Sequence, residues 1–222
     1  KADLIQKKGI RDAWSVLAIE QTEEDKLRVE SIWLYGMNTH KYALLLNFYG
    51  GNQMPEHNLT QGLLLDAELI YYPAATAIRA TIKEIYTSDM LPLYIQGNIY
   101  SSKQIYEQIA NELTQNPFME RLPFMIGNIL LSINDNQWWA VDCTGYGLPL
   151  ANSEEQCWNL LAYSKGQPIA GFGIYQDQAF YLKAIWLDET SPIKAELQTE
   201  SKDQLPVPAY QQIHTADIYY IK

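Results

Sequence analysis

This sequence predicts a β-dominated α+β fold with two mostly antiparallel sheet regions bridged by one amphipathic helix, and three observations predict it. Short apolar and aromatic runs follow one another along most of the chain, punctuated by Gly, Pro, Asn and Asp. Most connections are too short for helical crossovers between parallel strands. One segment alone carries a strong helical stripe. The organisation that follows is a first β region at 1–96, a connecting amphipathic helix within 97–117, a second β region at 118–187, and a Pro- and Gln-rich tail at 188–222 with room for a last strand.

Residues 14–21 and 27–36 read as a hairpin around Glu23-Glu24-Asp25. In its second arm Leu27, Val29, Ser31, Trp33 and Tyr35 alternate with Arg28 and Glu30, which predicts one buried and one wet face early in the strand. Residues 42–49 form a third strand closed by Gly50-Gly51, 52–62 a polar loop, and 63–72 and 78–86 two further strands. Asp66 and Glu68 share the parity opposite Leu65, Ala67 and Leu69, so they are expected on a wet face with Arg79 as their ion-pair partner across the hairpin.

Helix signals cluster next. Ser101 and Gln104 make a capping-box pattern, Ile105, Ile109 and Leu113 recur every four residues, and Asn116-Pro117 stops the helix. The usual role of such a stripe is to cover a sheet. Residues 124–133 and 138–143 then pair across an Asn134–Gln137 turn. Ser153 and Gln156 allow one helical turn before Trp158, and 158–187 reads as strand, turn, strand, turn, strand. The run Trp14-Ser15-Val16-Leu17-Ala18 resembles Trp158-Asn159-Leu160-Leu161-Ala162, and Ile32-Trp33-Leu34 matches Ile185-Trp186-Leu187, a pattern that would follow from an internal duplication.

Charge and cysteine content narrow the function. The 222 residues carry 26 acidic and 16 basic side chains, a net charge of −10 without a basic stripe, so no contact with nucleic acid is expected. Cys143 and Cys157 make no Cys-x-x-Cys or Cys-x-Cys pair, and they read as two reduced, buried thiols of a cytoplasmic protein. No secretory signal and no apolar run of membrane-spanning length is visible, so no membrane contact is expected. With His40, His57 and His214 dispersed, no metal, cofactor or catalytic cluster is expected. Gly171-Phe172-Gly173 lacks the third glycine and the following helix of a dinucleotide site, and marks a bulge or close backbone approach instead.

The aromatic content, with six Trp and 16 Tyr, leaves interaction surfaces as the live candidates. Adjacent strand residues point to opposite faces, so at most one of Trp138 and Trp139 enters a given core. The other is a contact residue unless a second layer covers it, and Tyr71 and Tyr72 pose the same question.

Several ordered motifs carry a family resemblance. They are Trp158, Leu160, Leu161, Ala162, Ser164, Gly166 and Pro168; Phe172, Gly173 and Tyr175; and Trp186. Earlier come Trp14, Val16 and Leu17, then Arg28, Val29, Trp33 and Leu34, and the string Asp66, Ala67, Glu68, Leu69, Tyr71, Tyr72 and Pro73 with Arg79 and Ala80 after it. In this order they resemble the carboxy-terminal part of bacterial SWIM zinc-finger family proteins. The defining Cys-x-Cys and Cys-x-His pairs are absent, so the resemblance implies a region lying after the zinc finger, to which zinc binding does not transfer. Two function classes follow: a non-catalytic scaffold or protein-interaction region with a protein partner, or a small-ligand-binding or enzymatic domain whose site is assembled from distant residues.

Overall fold

A computed structural model describes residues 6–24, 27–50, 57–74, 78–90, 99–117, 121–187, 210–213 and 218–221. It is β-dominated, with two sheets and two helices among these residues. The chain divides into two compact units, Lys1–Gly97 and Asn98–Lys222.

The first unit is a five-stranded barrel made of β1 (Ile10–Glu24), β2 (Leu27–Gly36), β3 (Tyr42–Gly50), β4 (Leu63–Tyr71) and β5 (Arg79–Met90), closed in the order β1-β2-β3-β5-β4. All pairings are antiparallel except a short parallel seam between β3 and β5. Full closure leaves the barrel no long free edge.

Closure depends on the long β1. Its first half pairs with β4 and its second with β2, and the register slips between Val16 and Ala18. A bulge bends a strand and sharpens its twist, which lets one strand serve two walls. At the bulge the Leu17 carbonyl accepts from Gln61 Nε2 at 2.8 Å. Inside, Trp14, Val16, Ile32, Leu34, Leu65 and Leu69 form the core. Each large apolar side chain fully buried contributes roughly 1.5–3 kcal/mol. Trp14 also places its indole N–H on the Ala67 carbonyl at 3.0 Å, so its one polar atom is satisfied.

A buried aspartate pins the β2–β3 turn. Asp12 accepts from the Asn38 and Thr39 backbone N–H groups at 3.1 and 2.8 Å, and from Asn38 Nδ2 and Thr39 Oγ1, both at 2.6 Å. Burial pushes its carboxyl up, but these hydrogen bonds outweigh that and hold it below the usual range. Gly36 is required beside it, because a Cβ there would lie 2.5 Å from Thr39 Oγ1 and 2.6 Å from Asp12 Oδ2.

The second unit is one sheet ordered β13-β12-β11-β10-β7-β8-β9, with β6 parallel beside β7. Its strands are β6 (Ile99–Tyr100), β7 (Leu122–Asn134), β8 (Gln137–Asp142), β9 (Gly147–Pro149), β10 (Ile169–Gln176), β11 (Ala179–Leu187), β12 (Tyr210–Ile213) and β13 (Ile218–Ile221). Two hairpins turn on residues with positive φ, Asp135-Asn136 and Asp177-Gln178, the backbone that tight two-residue turns need. Helix α1 (Ser102–Gln115) starts with the Ser101–Gln104 capping box, and Ile105 and Ile109 enter the sheet's core while Leu113 stays exposed. A second buried aspartate, Asp142, accepts from Thr144, Tyr146 and the Lys103 backbone N–H, and so ties the β8–β9 turn to the start of α1.

Residues 154–164 correct the sequence reading. They form a second helix, α2 (Glu154–Ser164), rather than one turn followed by a strand. Ser153 and Gln156 make a full capping box, and Glu154 and Glu155 sit favourably in the first turn. The run Trp158–Tyr163 contains no β-branched residue, Leu and Ala favour helix, and Lys165 and Gly166 adopt the left-handed conformation that ends it. The internal duplication falls with this, since Trp14 lies on strand β1 and Trp158 on a helix. The glycine expectation holds: the register shifts between Phe172 and Gly173, where a Cβ would meet the Phe180 ring at 2.5 Å.

Candidate functional site

The barrel wall is weakest where β3 meets β5. Their parallel pairing joins only Leu44 to Arg79 and Leu45 to Ala80, although β3 continues to Gly50 and β5 to Met90. Beyond the seam lies a slot of about 310 Å³, within the size range of ligand pockets. Leu45, Ala80 and Ile82 give it apolar walls, with Leu59 from the β3–β4 connection. Aromatic groups come from Phe48, half exposed at 50%, and Tyr72. Arg79 and His57 add polar groups, and the Arg79 guanidinium lies over the Tyr72 ring at 5.1 Å.

Asn47 and Tyr49 also line the slot, and both are held from inside the barrel. Their partner is Glu30, whose Oε2 accepts from Asn47 Nδ2 at 3.1 Å and from Tyr49 Oη at 3.0 Å, while Oε1 accepts from Gln21 Nε2 at 3.1 Å. The sequence placed Glu30 on a wet face, and the structure buries it. The physical reason is the register. Glu30 shares its parity with Ile32 and Leu34, and this parity, rather than that of Trp33 and Tyr35, faces the barrel interior. A buried carboxylate needs donors, and three neutral ones surround it. They fix the side chains of Asn47 and Tyr49 at the slot.

Arg79 is the second correction. The carboxylates expected to pair with it have other partners: Asp66 takes Arg11 in a two-pronged pair at 2.9 and 2.6 Å, and Glu68 takes Lys83 at 2.9 Å. Both carboxyls are thereby held below the usual range, Asp66 chiefly by Arg11 and Glu68 chiefly by Lys83 with help from the Gly9 N–H. In the β4–β5 register Asp66 lies across from Thr87 and Glu68 across from Glu84, whereas Arg79 sits beside Tyr72 at the far end of the ladder. Arg79 is thus left at the mouth of the slot.

The four candidate interaction residues separate. Tyr72 lines the slot. Tyr71 packs against the barrel core and donates to the Tyr42 carbonyl at 2.9 Å, its burial pushing the phenol well above its usual value. Trp138 enters the second unit's core, edge-on to the Trp158 ring with 4.9 Å between centroids. Trp139 takes the opposite face of β8, paired with Ser132 and Pro149. The alternation argument therefore describes the tryptophan pair correctly. The sequence missed Phe48, Asn47 and His57. In β3 both parities are apolar through Leu46, so the outward position of Phe48 gives no pattern to read.

Cys157 is buried in the second core, and burial pushes its thiol up to about 12. Cys143, expected to be buried, is exposed in the β8–β9 turn, because Asp142 turns inward to hold that turn and the next residue points out. Among the described residues no cluster of three or more His, Cys, Asp or Glu is placed to hold a metal, and no helix is long and apolar enough to cross a membrane. No protein-family model matches this chain, and no curated protein or solved structure matches it with significance.

Proposed function

We propose that this chain is a non-catalytic protein-interaction region of a SWIM-type zinc-finger protein, acting in the cytoplasm and binding its partner at the slot between β3 and β5. The family part of the proposal rests on the ordered motifs between Trp14 and Trp186. The observation that carries the binding part is the slot itself, an opening of about 310 Å³ edged by Phe48, Tyr72 and Arg79. Partly exposed aromatic rings beside an arginine are the side chains most enriched at protein interfaces. Among the described residues no Asp or Glu lines the slot, which supports a binding role over paired acid–base chemistry there. Among the described residues Arg79 is its one full cation, which is too little for a phosphate backbone.

A photo-crosslinking amino acid in place of Phe48, introduced into the full-length parent in cells, tests this reading. Phe48 is exposed enough for the change to spare the core. The expected result is crosslinking to a discrete protein, abolished when Leu46→Trp fills the slot and the melting temperature is unchanged. A small molecule co-purifying in the slot by native mass spectrometry, without a protein crosslink, would favour the ligand-binding alternative and reject the proposal.

A further inference from the structure

We propose that the slot takes its partner as an extended acidic peptide that adds to β3 as a strand, an inference that rests on the protein-binding reading above and specifies the partner. Leu44 N–H donates toward β5, to the Ile78 carbonyl at 2.8 Å. The N–H and C=O groups of successive strand residues point alternately to the two sides. The β2–β3 register runs without a break from Leu27↔Gly50 to Tyr35↔Tyr42. The N–H and C=O of Phe48 therefore point toward β5, into the slot. The parallel ladder has already stopped at Leu45↔Ala80, so among the described residues no strand meets them. Ile82, on the other side, faces the same gap, since β5 pairs there only with β4.

An unpaired strand edge is a template for another chain, and peptide recognition by strand addition uses such an edge together with pockets for alternate side chains. Both parts are present. Leu45, Leu59 and Ile82 offer apolar contact to inward-pointing side chains, and Phe48 flanks the edge. The sign of the partner's charge follows from Arg79. It stands at the mouth of the slot on the Tyr72 ring, and no carboxylate among the described residues pairs with it. A peptide carboxylate would supply the missing partner, and a peptide lysine would meet a like charge. The −10 net charge of the chain disfavours acidic partners in general, so recognition has to be local, at Arg79.

The test uses the whole chain and three fluorescein-labelled peptides, read by fluorescence anisotropy. The first alternates valine with glutamate, the second replaces glutamate by lysine, and the third is the first with alternate backbone nitrogens methylated. The expected result is binding of the acidic peptide, at least about tenfold weaker binding of the lysine peptide, and loss of binding on methylation. Arg79→Glu should invert the charge preference, and the Phe48 amide should become protected from hydrogen exchange in the complex. Equal binding of the methylated peptide overturns strand addition, as does acidic-peptide binding that survives Leu46→Trp. If none of the peptides binds while the crosslink from position 48 persists, strand addition is wrong and the protein-binding reading stands. If the acidic peptide binds but the crosslink fails, the edge is confirmed and the cellular reading falls.

Discussion

Removing the Asp12 carboxylate should unfasten the barrel's β2–β3 turn, and the cost can be worked from its bonds. In the turn, Asp12→Ala deletes the acceptor for two backbone N–H groups and two side-chain donors, those of Asn38 and Thr39, and the Ala13 N–H also loses its bond to Oδ1. Asn38 is exposed and Thr39 half-buried, so water replaces the bonds to Asn38 more readily. With about 1 kcal/mol for the Asn38 contacts and about 2 kcal/mol for the stranded Thr39 N–H, the loss is about 3 kcal/mol. At a urea dependence of roughly 2 kcal/mol per molar this moves the barrel's midpoint down by about 1.5 M. The pH dependence supplies a sign. The folded carboxyl lies below its ordinary value of 3.8. Its stabilisation is therefore complete above that value and is lost as pH falls through the folded pKa. Urea unfolding of native and Asp12→Ala chains, followed by tryptophan emission, should show a wide gap at pH 7 that narrows below about pH 4. Asp12→Asn should lie near Ala, because its amide sets donors against the Thr39 donors. A gap under about 1 kcal/mol at pH 7, or one unchanged at pH 3, would mean that the Asp12 carboxylate does not fasten the turn.

Other positions give independent checks. Gly36→Ala should lower the barrel's stability by about 1–3 kcal/mol, since the new methyl meets Asp12 and Thr39, and thermal melting checks this. Asp142→Ala should raise amide exchange at the start of α1, because the Lys103 N–H loses its acceptor; unchanged exchange there would mean the aspartate does not fasten the helix. Arg11→Ala should leave the urea midpoint within error despite its two short bonds to Asp66, because the pair is solvated. A thiol reagent should label Cys143 quickly in the folded chain and Cys157 only after denaturant is added, since the first is exposed and the second is buried with a thiol near 12.

The strands of the barrel are legible because each is an apolar run between turn residues, although β1 and β5 extend beyond the runs, and α1 because its cap and stripe agree. What escaped the sequence depends on register or on competing propensities. Glu30 looked solvated because Trp33 and Tyr35 marked the opposite parity as the core, whereas both faces of β2 are buried beyond it. The helix α2 was read as a strand because aromatic residues outweighed a capping box that the structure completes. A hairpin of the two runs suggests Arg79 as the partner of Asp66 and Glu68, while the pairing of β1 with β4, invisible locally, gives Asp66 to Arg11. The slot was invisible for the same reason. It exists because a parallel seam between β3 and β5 stops at Leu45 and Ala80, and no local pattern encodes where a ladder between distant strands will end.

On the proposed reading, a protein partner binds at the seam between β3 and β5. Hydrogen–deuterium exchange of the chain, alone and with the protein crosslinked from position 48, tests it most directly. The account predicts slowed exchange in peptides covering 46–50 and 79–84, with peptides covering 128–141 of the second unit unchanged. Protection confined to the face of β8 around Trp139, with both edges of the slot exchanging as in the free chain, would contradict it.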